Sequence, residues 1–391
     1  MARIARVDIL TALLPFRLSF GHALAERRSS TNVYVKVTLD DGSVGFGEGV
    51  PREYVTGETV EGAVAALGDR LGPVLLGLTA PDADAVPRLL DDAHGAAASE
   101  NGLDSAAWCA AELAALDAFG KHFGRSVQYW LGSRPAETVR YDAIIPFVPP
   151  RLLAPIALLV RALGFKQVKI KVGGNLADDL RALRILRRVL GAGADLRVDA
   201  NCAWTVDQAL DAIGQMRRYA ISAVEQPLVA DDFDGLRKVT AATSETIIVD
   251  ESLRTIEDAH TLVRLRACDA FNIRVSKCGG LLTSRRIGQI ASEAGLACVV
   301  GAQVGESGLL SAAGRHLAAS LPAVRYVEGS AGRLLLKKDL TDENVLPGRG
   351  GRARTFRGPG LGVHVNPSTL ATYGQVLRTL EAPKTPLGVR T

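Results

Sequence analysis

The sequence predicts an α/β protein whose parallel strands close into a barrel behind an antiparallel N-terminal meander. Three observations carry that expectation. First, residues 167–172 alternate Val168, Ile170 and Val172 with Lys169 and Lys171. Side chains alternate faces along a strand, so the two lysines point the same way. Second, four further apolar stretches, 196–199, 221–225, 247–250 and 271–277, each end in a charged residue: Asp199, Glu225, Asp250 and Lys277. From Lys171 the steps between these charges are 28, 26, 25 and 27 residues, and weaker strands at 297–300 and 324–328 continue the series. Third, helical stretches fill the gaps. Strand plus helix repeated at about 26 residues implies parallel strands joined by crossover helices. Seven such units, beginning at 141–145, close a barrel. A doubly wound open sheet is the alternative, but its dinucleotide fingerprint is missing: Gly191-Ala192-Gly193 precedes a strand, and Leu196 stands where the third glycine belongs.

A chain of 391 residues has room for about two domains, each with a core. Hydrophobic residues make up 47% and charged residues 23%, which describes a soluble globular protein. The net charge of +4 is too small to argue for nucleic acid, and the basic residues lie among acids on helices. No apolar run reaches the length of a membrane span, so no membrane partner is expected. The N-terminus reads as a first strand and not as a signal peptide. Five cysteines, without CxxC pairs or disulfide-like spacing, fit small core residues in a reducing cytoplasm, and a cytoplasmic location is expected.

In chain order, residues 4–15, 32–39 and 43–48 read as strands, with Asp40-Asp41-Gly42 as a hairpin turn. The polar segment 19–30, which contains His22, is long for a hairpin loop and is a candidate lid; 51–59, with Tyr54, is a second. Residues 60–123 are helical in pattern, and 105–119 are apolar on nearly every face, as in a helix buried on most sides. Gly132-Ser133-Arg134-Pro135 is a break. The expected division is therefore 1–133 as an N-terminal α+β unit with its lids, 134–336 as the barrel, and 337–391 as a Gly-, Arg- and Pro-rich tail that returns to the N-terminal unit through a strand-like piece at 358–365.

In parallel barrels the carboxyl ends of the strands form the active face. Asp199, Glu225 and Asp250 on adjacent strands repel one another without a counter-ion. Three hard oxygen ligands suit Mg²⁺ or Mn²⁺. Lys169 and Lys171 flank this group on the preceding strand and Lys277 on the following one. A lysine beside a divalent cation and a second ammonium is acidified enough to act as a base near neutral pH. A metal-bound carboxylate substrate could then lose its α-proton to lysine while the metal holds the enediolate, an arrangement used in the enolase superfamily.

The motifs Lys169-Ile170-Lys171, Asp199-Ala200-Asn201, Glu225-Gln226-Pro227, Asp250-Glu251-Ser252 and 272–280 (Asn-Ile-Arg-Val-Ser-Lys-Cys-Gly-Gly), in order and at barrel spacing, resemble the muconate lactonizing enzyme subgroup of the enolase superfamily. The resemblance covers nearly the whole chain. It implies a (β/α)7β modified TIM barrel with an α+β capping domain. It also implies Asp199, Glu225 and Asp250 as metal ligands, Lys171 and Lys277 as acid/bases on opposite faces of the substrate, and Lys169 as electrostatic partner of Lys171. Dipeptide epimerases of the subgroup carry Asp-x-Asp on the eighth strand, and this chain departs from them with Val327-Glu328-Gly329-Ser330. Val304-Gly305-Glu306-Ser307 is similar to the subgroup's seventh-strand Glu-Ser. Mandelate racemase places a His on that strand, whereas His316 falls inside a helix and reads as structural.

The expected function is divalent-metal-dependent abstraction of a proton α to a carboxylate, with racemisation or epimerisation of an amino-acid-type substrate first. Cycloisomerisation of a muconate-like diacid, syn-dehydration and a catalytically silent binding protein are the alternatives. His22, Tyr54, Asn201, Glu306 and Glu328 are the expected substrate contacts, the partner a small carboxylate, and the assembly a homo-oligomer.

Overall fold

Two sheets organise the chain. The computed structural model describes residues 1–22, 25–97, 104–132 and 135–382, and the side chains among them other than those of 18–27. The first sheet is antiparallel. β1 (Ala2–His22), β2 (Ala25–Leu39) and β3 (Val44–Gly49) form its meander, β4 (Thr79–Ala80) pairs with the start of β1, and β15 (Gly374–Glu381) closes its other edge. The last described strand therefore returns to the first one, with Val7 opposite Leu380. The strand-like piece expected at 358–365 forms turns with isolated bridges, Ser126 to Gly360 and Thr341 to Val365, in place of a strand. β14 (Arg352–Arg354) pairs with β5 (Thr138–Arg140) in a two-stranded ribbon.

The helix Ser105–His122 lies on the meander, and every residue from Ala106 to Gly120 is buried. Its closeness has a local cause. Gly45, Gly47 and Gly49 occupy alternate positions of β3, and a Cβ at any of them would run into the helix backbone at Ala114, Ala110 or Ala106. Glycine on one face of the strand and alanine on the helix let the two backbones approach.

The second sheet is parallel and runs β6 (Ala143–Ile145), β7 (Gln167–Lys171), β8 (Asp195–Asp199), β9 (Ile221–Glu225), β10 (Thr246–Val249), β11 (Ala270–Ile273), β12 (Ala297–Val300) and β13 (Val324–Val327). The amide of Asp142 donates to the carbonyl of Val327 at 2.8 Å, joining the last strand to the first. Seven helices cross between the strands, so the barrel is (β/α)7β, and all four residues of β11 are buried, as strands covered on both faces require. Asn175, Thr205, Asp232, Thr255 and Ser307 each accept backbone N–H groups at the start of their own crossover helix. The crossover helix Leu281–Glu293 begins at Gly280 and has no such side chain of its own.

Two further local expectations are corrected. Segment 19–30 is not a loop: β1 and β2 extend through it as a long hairpin, with Phe20 opposite Arg27 and Gly21 opposite Glu26. Its polar residues gave no apolar alternation to read. Lys277 is not at the end of a strand either. β11 stops at Ile273, and the chain turns, with the amide of Cys278 donating to Arg274 and that of Gly280 to Val275. Gly279 and Gly280, at φ +77° and +100°, permit the turn.

Candidate active site

Parallel register lines up the strand ends. Lys171 is opposite Asp199, and Asp199 is opposite Glu225, so these three of the charges expected from the spacing stand at one level of the barrel mouth. Glu225 is opposite Ile248, two residues before Asp250.

The structure brings these residues together as a dense set of ion pairs. Lys169 Nζ is 3.0 Å from Glu225 Oε1, 2.7 Å from Glu328 Oε1 and 3.5 Å from Asp199 Oδ2. Burial lowers the Lys169 pKa, but the three carboxylates outweigh it and hold the ammonium up at about 12. Lys171 Nζ lies 3.5 Å from Asp199 Oδ2 and also contacts Asn201 Oδ1. Asp199 is opposed by burial, yet Lys171 and Lys169 keep its carboxyl well below the ordinary range. Lys277 Nζ is 2.9 Å from Asp250 Oδ1 and donates to the carbonyls of Asp250 and Asn272. Burial first, with the Arg274 guanidinium beside it, brings the Lys277 ammonium down to about 8.

A cavity opens onto one side of this set. Lys169, Lys171, Asp199, Asn201, Glu251 and Arg274 form its polar floor, and Tyr54, Val55, Ile144, Val304 and Leu335 part of its wall. Of the expected substrate contacts, Tyr54, Asn201, Glu306 and Glu328 line the cavity; the side chain of His22 lies outside the described residues. Glu328 is held by Lys169 and Arg197, which pull its carboxyl down to about 2 against burial. Tyr54 and Val55 belong to the 51–59 segment, which carries a short helix, Glu53–Thr56. Lys277 does not line the cavity, and neither do Glu225 and Asp250; all three are wholly buried. His316 is buried between Gln128 and the carbonyl of Leu361, away from the cavity. Cys278 is a buried core residue whose thiol is raised by burial.

Arg197, Arg274 and Glu251 had no role in the sequence reading, although Glu251 and Arg274 stand inside the motifs quoted there. Arg197 shares a strand face with Asp199, two residues on, and that period was available to find it. Its guanidinium bonds Glu225 Oε2 at 2.7 Å and Asp142 Oδ2 at 2.9 Å. Arg274 pairs with Asp250 and donates to Gln303 Oε1 at 3.0 Å.

Among the described residues no three acidic, His or Cys side chains stand posed as a ready metal cluster, because each of the three expected ligand carboxylates faces a cation. The donor chemistry and charge nevertheless fit a divalent ion. At this mouth the five cations Lys169, Lys171, Arg197, Arg274 and Lys277 are outnumbered by the seven carboxyls of Asp142, Asp199, Glu225, Asp250, Glu251, Glu306 and Glu328. The excess shows where burial prevails: Asp142 and Glu251 are pushed up to about 7 and Glu306 to about 8.

The comparisons with known proteins agree with this geometry. Residues 1–132 match the model of the mandelate racemase / muconate lactonizing enzyme N-terminal domain, and residues 152–369 the enolase C-terminal domain-like model. The chain belongs to the mandelate racemase / muconate lactonizing enzyme family of the enolase superfamily. It is 28% identical over 371 residues to the N-succinyl-L-Arg/Lys racemase of Bacillus cereus, covering 94% of this chain and 97% of that one. It is 31% identical over 372 residues to the L-Ala-D/L-Glu epimerase of Bacillus subtilis, covering 92% and 96%. The solved dipeptide epimerase of Enterococcus faecalis V583, complexed with Mg and the dipeptide L-Leu-L-Tyr, superposes with a TM-score of 0.83 at 28% identity over 92% of this chain and 99% of that one. The fold, the site and these relatives make the chain an enzyme of the isomerase type.

Proposed function

We propose that this enzyme removes the proton α to the carboxylate of an amino-acid-type substrate and returns a proton to the opposite face, as a racemase or epimerase. One observation carries the reading. β7, which ends in Lys171, and β11, which leads to Lys277, are four strands apart in an eight-stranded barrel, so the two lysines approach from opposite sides. Of the three strands between them, two end in Asp199 and Glu225, and Asp250 directly follows the third.

Asp199, Glu225 and Asp250 would hold a divalent cation, Mg²⁺ or Mn²⁺. Bound there, the ion supplies positive charge to the substrate carboxylate and so acidifies its α-proton. Lys171 Nζ, at the cavity floor, takes or gives the proton on one face. Lys277 Nζ serves the other, and burial already favours its neutral form more than that of an ordinary lysine. Lys169 stays protonated and supplies fixed positive charge beside Asp199. Tyr54 and Val55 bring the cap to the cavity wall, beside the space a substrate would fill. Glu328 is neutralised by Lys169 and Arg197, so the end of β13 offers no free carboxylate to a substrate ammonium. N-acylated amino acids are therefore the first class to test, ahead of dipeptides with a free amine.

The test is enantiomer-resolved α-proton exchange in deuterated water, with Mg²⁺ and a panel of N-acetyl and N-succinyl amino acids, dipeptides and muconates. Exchange and racemisation of both enantiomers of an N-acylated amino acid, lost on chelation and restored by Mg²⁺, are expected. Turnover of muconate with no exchange of any amino-acid derivative overturns the reading in favour of cycloisomerisation.

A further inference from the structure

The mechanism leaves unused a fully buried carboxylate of the cap, Glu112, midway along the helix Ser105–His122. It points out of its own domain. Its Oε1 accepts the amide of Leu281 at 2.5 Å and that of Leu282 at 3.2 Å, across 169 and 170 residues of sequence. Those amides open the 13-residue helix Leu281–Glu293, whose first N–H groups have no partner within the helix. Five other crossover helices meet that need with their own Asn, Thr, Asp or Ser; this one starts at Gly280 and meets it with a side chain from another domain. Burial raises the Glu112 carboxyl to about 8, against the two amides and the partial positive charge of the helix N-terminus; in either form its Oε1 serves as the acceptor.

What lies just upstream is the turn that carries Lys277. Lys277 is four residues before Leu281, and the turn between them is closed by the Cys278 and Gly280 amides. Gly280 sits so close to Glu112 that a Cβ there would collide with its carboxylate. The cap holds the other end of the same turn as well: the amide of Val50 donates to Ser276 Oγ at 2.8 Å. Lys277 is thus bracketed by two residues of the cap, Val50 before it and Glu112 after it. The polar contacts of Lys171 Nζ, by contrast, come from Asp199 and Asn201, both in the barrel.

We propose that Glu112 is a positioning residue for Lys277: by capping the helix that follows, it fixes the turn from which this lysine reaches the substrate, and it does not act on Lys171. The proposal rests on the two-lysine racemase reading for its catalytic consequence, and on the hydrogen bonds alone for its structural one. A misplacement of about 1 Å can cost on the order of 10²-fold in rate. Loss of the cap is therefore expected to read as a face-selective defect.

The experiment has two arms, both on the full-length Mg²⁺-supplemented protein. Wild type is compared with Glu112→Gln, which keeps an acceptor oxygen, and Glu112→Leu, which does not. In the first arm, backbone amide hydrogen exchange is followed by mass spectrometry. Faster exchange confined to residues 276–284, with 167–175 unchanged, is expected in the Leu variant. In the second, α-proton exchange is measured for each enantiomer of an N-acylated amino acid, with the Lys277-dependent enantiomer identified by Lys277→Ala. Glu112→Leu should slow that enantiomer at least about tenfold and leave the other within about twofold, and Glu112→Gln should recover most of the loss. An equal fall for both enantiomers, or unchanged amide exchange at 276–284, overturns the proposal. Should the Leu variant fail to fold, Glu112→Asp, which withdraws the carboxylate by one methylene, is expected to show the same asymmetry, and a symmetric Asp variant overturns it. If wild type exchanges no amino-acid derivative, the racemase reading falls, and the amide arm alone decides whether Glu112 anchors the turn.

Discussion

Lys171 and Lys277 occupy opposite sides of one barrel, yet they are built differently. Lys171 is the last residue of a regular strand, lines the open cavity and is steadied by Asp199 and Asn201. Lys277 hangs from a glycine turn beyond its strand, is sealed from solvent, and is gripped by Asp250 and two carbonyls. Buried lysines lose acidity-suppressing hydration, and the drop to about 8 follows from that. A two-base enzyme needs both lysines to reach one carbon. The contrast teaches that Lys171 is placed by groups of the barrel itself, its strand register with Asp199 and the contact with Asn201, whereas Lys277 rests on a turn bonded partly by the cap.

The largest expected effect comes from removing either base. Lys171→Ala and Lys277→Ala should each lower net racemisation by at least about 10²–10⁴-fold, the usual weight of general acid–base catalysis. Each should still exchange the α-proton of one enantiomer, and the two variants should prefer opposite enantiomers. Loss of all exchange in one variant and near-normal turnover in the other would break the symmetry of roles and point to a single base.

Glu225→Gln is the symmetric control. Glu225 sits between the two sides: it pairs with Lys169, beside Lys171, and accepts from Asn272 Nδ2 at 2.8 Å on the strand leading to Lys277. Removing its charge leaves Lys169 and Arg197 underpaired in a buried site, a loss of roughly 3–5 kcal/mol. Both enantiomers should slow together, the thermal midpoint should fall, and calorimetric titration should show weaker Mg²⁺ binding. Undiminished Mg²⁺ affinity in a folded variant would remove Glu225 from the ligand set.

The same contrast separates what could be read in the sequence from what could not. Lys171, Asp199 and Glu225 were legible because parallel strands of similar period bring their ends to one level, with Lys169 two residues before it and Asp250 two residues beyond, so a one-dimensional spacing carries three-dimensional information. The seven-strand-and-helix repeat and the family motifs were legible for the same reason. Lys277 was identified, but its setting was misread as a strand end, since the glycines that turn the chain follow the lysine and the apolar run continues past Ile273. Arg197 and Arg274 supply the charges that pair the expected ligands, and only the alternation of faces hinted at them. Glu112 was hidden altogether: it is one acid in a stretch of alanine and leucine that reads as a helix buried on most sides, and its partners are 169 and 170 residues away.

Two glycines test the turns on either side. Gly173 and Gly280 both have φ of +100°, where an L-residue is strained by about 1–3 kcal/mol. At Gly173 a Cβ would also stand 2.5 Å from Ala203 Cβ and 2.9 Å from the carbonyl oxygen of Ala200, neither of which can swing away. At Gly280 the obstacle is the end of the Glu112 side chain. Gly173→Ala should therefore lower the melting temperature more than Gly280→Ala. In exchange assays, Gly173→Ala should weigh on the Lys171-dependent enantiomer and Gly280→Ala on the other. The reverse pairing would contradict the assignment of each turn to its lysine.

The smallest effect is expected from Ser276→Ala. Its hydroxyl accepts the Val50 amide at 2.8 Å, and both residues are buried. Truncation strands that N–H without an acceptor, at a cost of about 1–2 kcal/mol that chemical denaturation can measure. It leaves the Glu112 bonds in place, so the turn keeps its downstream anchor while losing the upstream one. The Lys277-dependent enantiomer should slow by only a few-fold, less than in Glu112→Leu, and the Lys171-dependent enantiomer should be unaffected. If Ser276→Ala instead proves as selective and as severe as the Glu112 variant, the upstream bond is the main fastening of the turn, and the helix cap is secondary to it. If Ser276→Ala is destabilised yet symmetric between enantiomers, the Val50 bond only joins the two domains, and Lys277 takes its position from the turn and the capped helix that follows it.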